Sequence, residues 1–123
     1  MFKVKKPIFG SNYYPEAWDR SEIDKDLDRM CEMGLNCVRI AEFAWKTMEP
    51  EEGKYDFSLF REVVDKCRER GISVILGTPT ACPPRWLEEK YPEVFQITCD
   101  GKVYRHGARR NVCPNDPVFR EYC

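Results

Sequence analysis

What this sequence has least of is net charge. Twenty basic residues stand against 21 acidic ones, for a formal charge of -1 and a pI of about 5.9. So even a balance gives no broad attraction for nucleic acid or anionic lipid, and both are excluded as expected partners. Long apolar runs are missing too: none approaches the ~20 residues a bilayer crossing needs, so no membrane partner is expected. The opening MFKVKKPIFG is basic and briefly apolar. It lacks the apolar core and small-residue cleavage site of a signal peptide, which points to a cytoplasmic chain. No GxGxxG or GxxxxGK[ST] follows any apolar run, so a dinucleotide or nucleotide cradle is disfavoured. Seven cysteines are present, but none forms a CxxC and no short spacing repeats, which indicates neither a disulfide framework nor a self-contained zinc site. Cys31, Cys37 and Cys67 fall in apolar registers and are expected in the core.

What is present is ordinary for one small globular domain: 42% hydrophobic and 33% charged residues. Its centre is the stretch NCVRIAEFAW, Asn36 to Trp45. Two residues after a helix-stopping Gly34, it runs through Cys37, Val38 and Ile40 as a buried strand should. Arg39 interrupts the apolar run, and Glu42, Phe43 and Trp45 gather where the strand should end. Two readings fit these residues: a buried Arg–Glu pair holding a loop in place, or a functional site at a strand terminus.

Around this stretch the chain alternates. PIFGSNYY (residues 7–14) predicts a short strand, broken by Pro15-Glu16-Ala17-Trp18. Ser21 with Asp24 predicts a capped helix start, and Ile23, Leu27, Met30 and Cys31 repeat at three and four residues up to Gly34. Met48 to Lys54 reads as a surface connection, followed by a helix capped by Ser58, striped by Leu59, Phe60, Val63, Val64 and Cys67, and stopped at Gly71. Ile72–Leu76 predicts a buried strand. Helix, glycine and strand recur at an offset of 37 residues between Gly34 and Gly71. Apolar strands alternating with helices imply α/β architecture with a parallel sheet, either doubly wound or closed as a barrel. In a barrel, reactive groups project from the C-terminal strand ends, which are Asn12 to Glu16, Arg39 to Trp45 and Thr78 to Pro84. Pro83 and Pro84 open a third helix that Pro92 ends, Asp100-Gly101 marks a hairpin within residues 94–105, and Asp116-Pro117 opens a last helix. The lone His106 reads as a loop residue rather than a base.

With these residues in view, the sequence resembles the N-terminal part of the glycoside hydrolase family 42 β-galactosidases. The resemblance rests on Tyr13-Tyr14-Pro15-Glu16 with Trp18, Val38-Arg39-Ile40 with Glu42-Phe43-Ala44-Trp45, Gly77-Thr78-Pro79-Thr80-Ala81 with Pro83-Pro84 and Trp86-Leu87, and Arg109-Arg110 with Cys113. It implies the first three βα units of an incomplete (β/α)8 TIM barrel, with residues 1–123 belonging to the catalytic domain and ending before the fourth strand. It implies a retaining β-galactosidase acting on terminal non-reducing β-D-galactose. The two catalytic glutamates of the family lie at strand ends beyond Cys123, so neither Glu16 nor Glu42 takes a catalytic role, and the segment alone is expected to be inactive. Arg39 and Arg109 match the arginines that line the galactose subsite, and their fixed fork of donors suits sugar hydroxyls. Trp45 is the tryptophan assigned to stacking on the sugar. Cys113 matches the first of four cysteines holding a structural zinc in some members, the other three lying downstream. Oligomeric state is left open, a homo-oligomeric parent included. The competing expectations are another retaining glycosidase of the same clan and a non-catalytic sugar-binding protein.

Overall fold

A computed structural model describes residues 7–107, 109 and 111–123. The leading segment and Arg110, the second member of the arginine pair, lie outside the described residues. In chain order the elements are β1 (Gly10–Asn12), α1 (Ile23–Glu32), β2 (Cys37–Ile40), the short α2 (Trp45–Met48), α3 (Ser58–Glu69), β3 (Ser73–Leu76), α4 (Arg85–Lys90) and α5 (Pro117–Tyr122). Tight 3-10 turns occupy Pro15–Ala17, Arg20–Glu22, Pro79–Ala81 and Pro92–Val94. The chain divides into two compact units, one of residues 1–41 and 57–77, the other of residues 42–56 and 78–123.

The first unit is a parallel three-stranded sheet in the order β1-β2-β3 with α1 and α3 as its crossovers. Gly34 and Gly71, at φ +80 and +68, end the two helices in the left-handed conformation that glycine adopts at least cost. α1 buries Ile23 and Leu27, four residues apart on one face, while α3 buries Phe60, Val63 and Cys67. Burial also pushes the Cys67 thiol up to about 11, so it stays a neutral packing group. The polar margins of the helices are laced together. Asp24 takes bonds from Lys66 and Arg70, Arg70 reaches Asp28 at 2.6 Å, and Arg20 reaches Glu62 at 2.9 Å.

Several local expectations need correction. Asp19, not Ser21, caps the first helical stretch, its carboxylate accepting from the Ser21 amide at 2.8 Å, because a 3-10 turn precedes α1. Ser58 is the first residue of α3 rather than its cap, and Phe57 occupies the cap position. Cys31 continues the apolar stripe of α1 in sequence but is exposed, since it falls in the last turn where that stripe runs out of cover. The connection expected at the surface, Met48 to Lys54, starts in the last residue of α2, a single helical turn, and its Met48 and Glu49 are buried. β3 is not buried as its apolar run predicts: Ile75 is 50% and Leu76 64% exposed. The reason is topological. β3 pairs with β2 along one edge, and among the described residues no strand pairs with the other.

The second unit has its own core of Trp45, Leu87, Val94, Val112 and Phe119, with Trp86, Tyr91, Val118 and Tyr122 packed against it. Asp116 caps α5 by accepting from the Phe119 amide at 2.9 Å, with Pro117 at the first helical position. The hairpin marked by Asp100-Gly101 is present: Ile97 bridges Val103 antiparallel, Gly101 sits at φ +80, and Phe95 bridges Val112.

One glycine of the sheet is required by space rather than by φ. A Cβ on Gly10 would lie 2.1 Å from the Cys37 carbonyl oxygen, a contact with backbone that cannot swing aside. Gly10→Ala is therefore expected to push β1 from β2 and to cost about 1–3 kcal/mol, read as a lowered urea midpoint at unchanged slope in the complete protein.

Candidate functional site

In the first unit the candidate is Arg39. Alternation along β2 sends Val38 and Ile40 to one face, where both are 0% exposed, and Cys37 and Arg39 to the other. That second face is an open concavity also lined by Ser11, Asn12 and Ile75. The register is fixed on both sides, because Arg39 stands opposite Asn12 of β1 and Ile75 of β3. Its carbonyl accepts from the Tyr13 amide at 2.9 Å, which extends the pairing one residue past β1. An arginine so placed is half-buried, held by a central strand and turned to a concave surface.

Immediately after β2 the backbone changes hand. Ala41 has φ +71, and it is the non-glycine residue with positive φ among the described ones. The conformation costs an L-residue roughly 1–2 kcal/mol. Such strain collects at working strand ends, and the sequence shows no signal for it, since alanine carries no turn preference. The turn after β1 holds a second unanticipated feature. Burial raises the Glu16 carboxyl above its ordinary range, and its Oε2 is enclosed with no hydrogen-bond partner. The Tyr13 hydroxyl, donating to Asp26 at 3.3 Å, is likewise held well above the phenol range by burial and then by that carboxylate.

In the second unit Arg109 is exposed, and its guanidinium carbon lies 4.1 Å from the centre of the Phe43 ring. This is a close cation–π contact. The Cys82 thiol nearby is raised by burial and by Glu88, and Arg109 opposes that rise. Trp45, assigned to sugar stacking from sequence, is a packing residue here: it is 5% exposed, tilts against Phe119 at 6.2 Å, and donates its indole N–H to Glu49 Oε2 at 2.8 Å. Its ring therefore offers no open face in this chain. Glu49, 3% exposed, also accepts from the Gly53 amide at 2.8 Å, while its carbonyl accepts from the Trp86 indole at 2.9 Å. Glu49 thus ties the 49–53 loop to two indoles, one through its carboxylate and one through its carbonyl.

A second buried carboxylate was not anticipated from sequence. Glu88 of α4 is 4% exposed; its Oε1 accepts from the Asn111 amide at 2.5 Å and its Oε2 bonds His106 Nδ1. His106 is a loop residue as expected, though tied to α4 rather than loose. Nothing in LEEK marks Glu88 as the inward residue of a polar run.

Cys113 is half-buried beside a concavity lined by Glu93, Asn115 and Asp116. Among the described residues no group of three or more His, Cys, Asp or Glu could hold a metal. These residues alone do not make a tetrahedral zinc site, to which Cys113 could bring one thiolate of the four required.

Comparison with known proteins places these features. The model of the glycoside hydrolase 42 family, described as β-galactosidase, matches residues 12–123. The β-galactosidase YesZ of Bacillus subtilis is 43% identical over 118 residues, which are 96% of this chain and 18% of that protein. A β-galactosidase of Thermus thermophilus is 43% identical over 93% of this chain and 18% of its own length. Among solved structures, the β-galactosidase of the haloarchaeon Halorubrum lacusprofundi superposes with a TM-score of 0.90 at 40% identity, over 94% of this chain and 17% of that one. That of Rahnella sp. R3 gives 0.92 at 37% identity, over 98% and 18%. This chain thus spans a little under a fifth of the length of these relatives, and its three parallel βα units share the fold of the corresponding part of their barrels.

The Glu88 cluster can be tested directly. Glu88→Leu removes the closer of the two acceptors of the Asn111 amide, leaving it the Arg105 carbonyl at 3.3 Å in a site that is 1% exposed, and is expected to cost about 1–3 kcal/mol in denaturant midpoint. Asn111→Leu in the same background should recover part of it, because both buried polar groups are then gone.

Proposed function

This chain belongs to glycoside hydrolase family 42, the β-galactosidases, and on that premise we propose that it is the substrate-binding opening of a retaining β-galactosidase barrel. The observation that supports the reading most is Arg39, an arginine carried at fixed register by the central strand and turned to the concave face of the sheet. A terminal galactosyl residue presents hydroxyl groups. A guanidinium offers five N–H donors in rigid geometry, enough to hold two of them or to align a neighbouring carboxylate. Arg109 brings the same chemistry from a loop.

Retaining hydrolysis needs two carboxyl groups ~5 Å apart, one to protonate the leaving oxygen and one to attack the anomeric carbon. Neither Glu16 nor Glu42 is assigned to either role. The Oε2 of Glu16 is enclosed, so it presents no oxygen to an anomeric carbon. The acid/base and the nucleophile belong to later strands of the barrel. Cys113 is proposed as one thiolate of a structural zinc site completed by further cysteines, where the metal would tie loops together and take no part in the reaction.

Two outcomes are expected. In the complete enzyme, Arg39→Ala should lower kcat/KM on a nitrophenyl β-galactoside by ~2 kcal/mol, about 30-fold, with Arg39→Lys failing to restore it. Kinetics of a folded Arg39→Ala variant indistinguishable from the parent would overturn the assignment. Expressed alone, the 123-residue chain should release no nitrophenol above a purified blank, since neither carboxyl of the pair is supplied.

A further inference from the structure

The contact between Phe43 and Arg109 carries a role that family membership does not assign. We infer that Phe43 is a positioning residue, whose ring face holds the Arg109 guanidinium in the orientation that meets substrate. This rests on the reading of Arg109 as a sugar-binding residue and names what fixes it.

Arg109 stands in a turn, not on a strand or helix, and it is exposed. A long side chain in that setting samples many rotamers, and ordering it on binding costs conformational entropy unless something orders it beforehand. Among the described residues no carboxylate bonds to Arg109. The group set against it is the Phe43 ring, 4.1 Å from the guanidinium carbon. An aromatic face differs from a carboxylate in what it leaves free. It takes the cation by its π-surface, so the N–H donors, which lie in the guanidinium plane, remain for a ligand's oxygens. A carboxylate in the same place would consume two of them.

The backbone before Phe43 supports the same conclusion. The left-handed turn at Ala41 ends β2 abruptly, and Phe43 follows two residues later, separated from the start of α2 at Trp45 by Ala44 alone. Trp45, with its indole bonded to Glu49 and its ring against Phe119, anchors the end of that turn in the unit's core. Phe43 is thus presented from a short, braced segment, whereas Arg109 comes from a loop. The braced partner positions the loop-borne one.

The test is a double-mutant cycle in the complete enzyme, with kcat and KM on a nitrophenyl β-galactoside and galactose inhibition as readouts. Phe43→Leu keeps apolar bulk and removes the π-face. It should lower kcat/KM about five- to tenfold and weaken galactose inhibition, with the thermal midpoint held close to the parent's. Phe43→Tyr, which keeps the face, should restore both. In an Arg109→Ala background, Phe43→Leu should cause no further loss. The inference is overturned if Phe43→Leu leaves kcat/KM unchanged, if Phe43→Tyr fails to rescue, or if the loss persists undiminished in the Arg109→Ala background. Failure of the underlying reading looks different: Arg109→Ala alone would then have parental kinetics, whatever Phe43 does.

Discussion

The register of β2 is the constraint on which the first unit depends. β2 has a strand on each side, so its position is set twice, Cys37 opposite Gly10 and Ser73, Arg39 opposite Asn12 and Ile75. Side chains alternate faces with a period of two, so a slip of one residue would drive Arg39 into the face where Val38 and Ile40 are fully buried. Burying an unpaired guanidinium there would cost several kcal/mol, which leaves one acceptable register. The close approach at Gly10 belongs to the same constraint: only a residue without Cβ lets β1 come near enough to pair in that register. The position of Arg39 is thus decided in part by a backbone contact at the opposite end of the strand.

The sequence was informative wherever one residue type has one physical use. Gly34 and Gly71 marked both helix ends, and their recurrence at fixed offset exposed the repeating βα unit; both adopt the left-handed conformation. The Arg39 interruption of an apolar strand was legible for the same reason, since buried strands exclude arginine unless it has work to do. Where the outcome turns on tertiary surroundings, the reading failed. Trp45 sits close after a strand end, as a sugar-stacking ring would, but its N–H is spent on Glu49 and its face on Phe119, partners that its sequence position does not name. Cys31 and β3 carried the right apolar pattern, yet periodicity reports a preference for cover, not whether cover is there. Glu49 and Glu88 were invisible, because a buried carboxylate is indistinguishable in sequence from a solvated one until its donors are known. At α1 the cap shifted because a 3-10 turn precedes the helix, and at α3 because the helix already includes Ser58.

Arg39 and Arg109 show two physical routes to placing a guanidinium. A strand-borne arginine inherits its position from the hydrogen-bond ladder: Cα is fixed by neighbours on both sides, and only the side-chain torsions remain to be ordered. A loop-borne arginine inherits nothing of the kind, so its precision has to come from a side-chain contact. That contact must not compete with the ligand. A carboxylate satisfies the cation but occupies its donors, while an aromatic face satisfies part of the charge and leaves the donors in plane. The cost of this arrangement falls on the aromatic partner, which needs a rigid seat of its own. The strained turn at Ala41 and the buried Trp45–Glu49 bond two residues further on provide that seat. Trp45 is therefore not the open stacking face its sequence position suggests. It acts through the backbone, by anchoring the segment from which Phe43 projects.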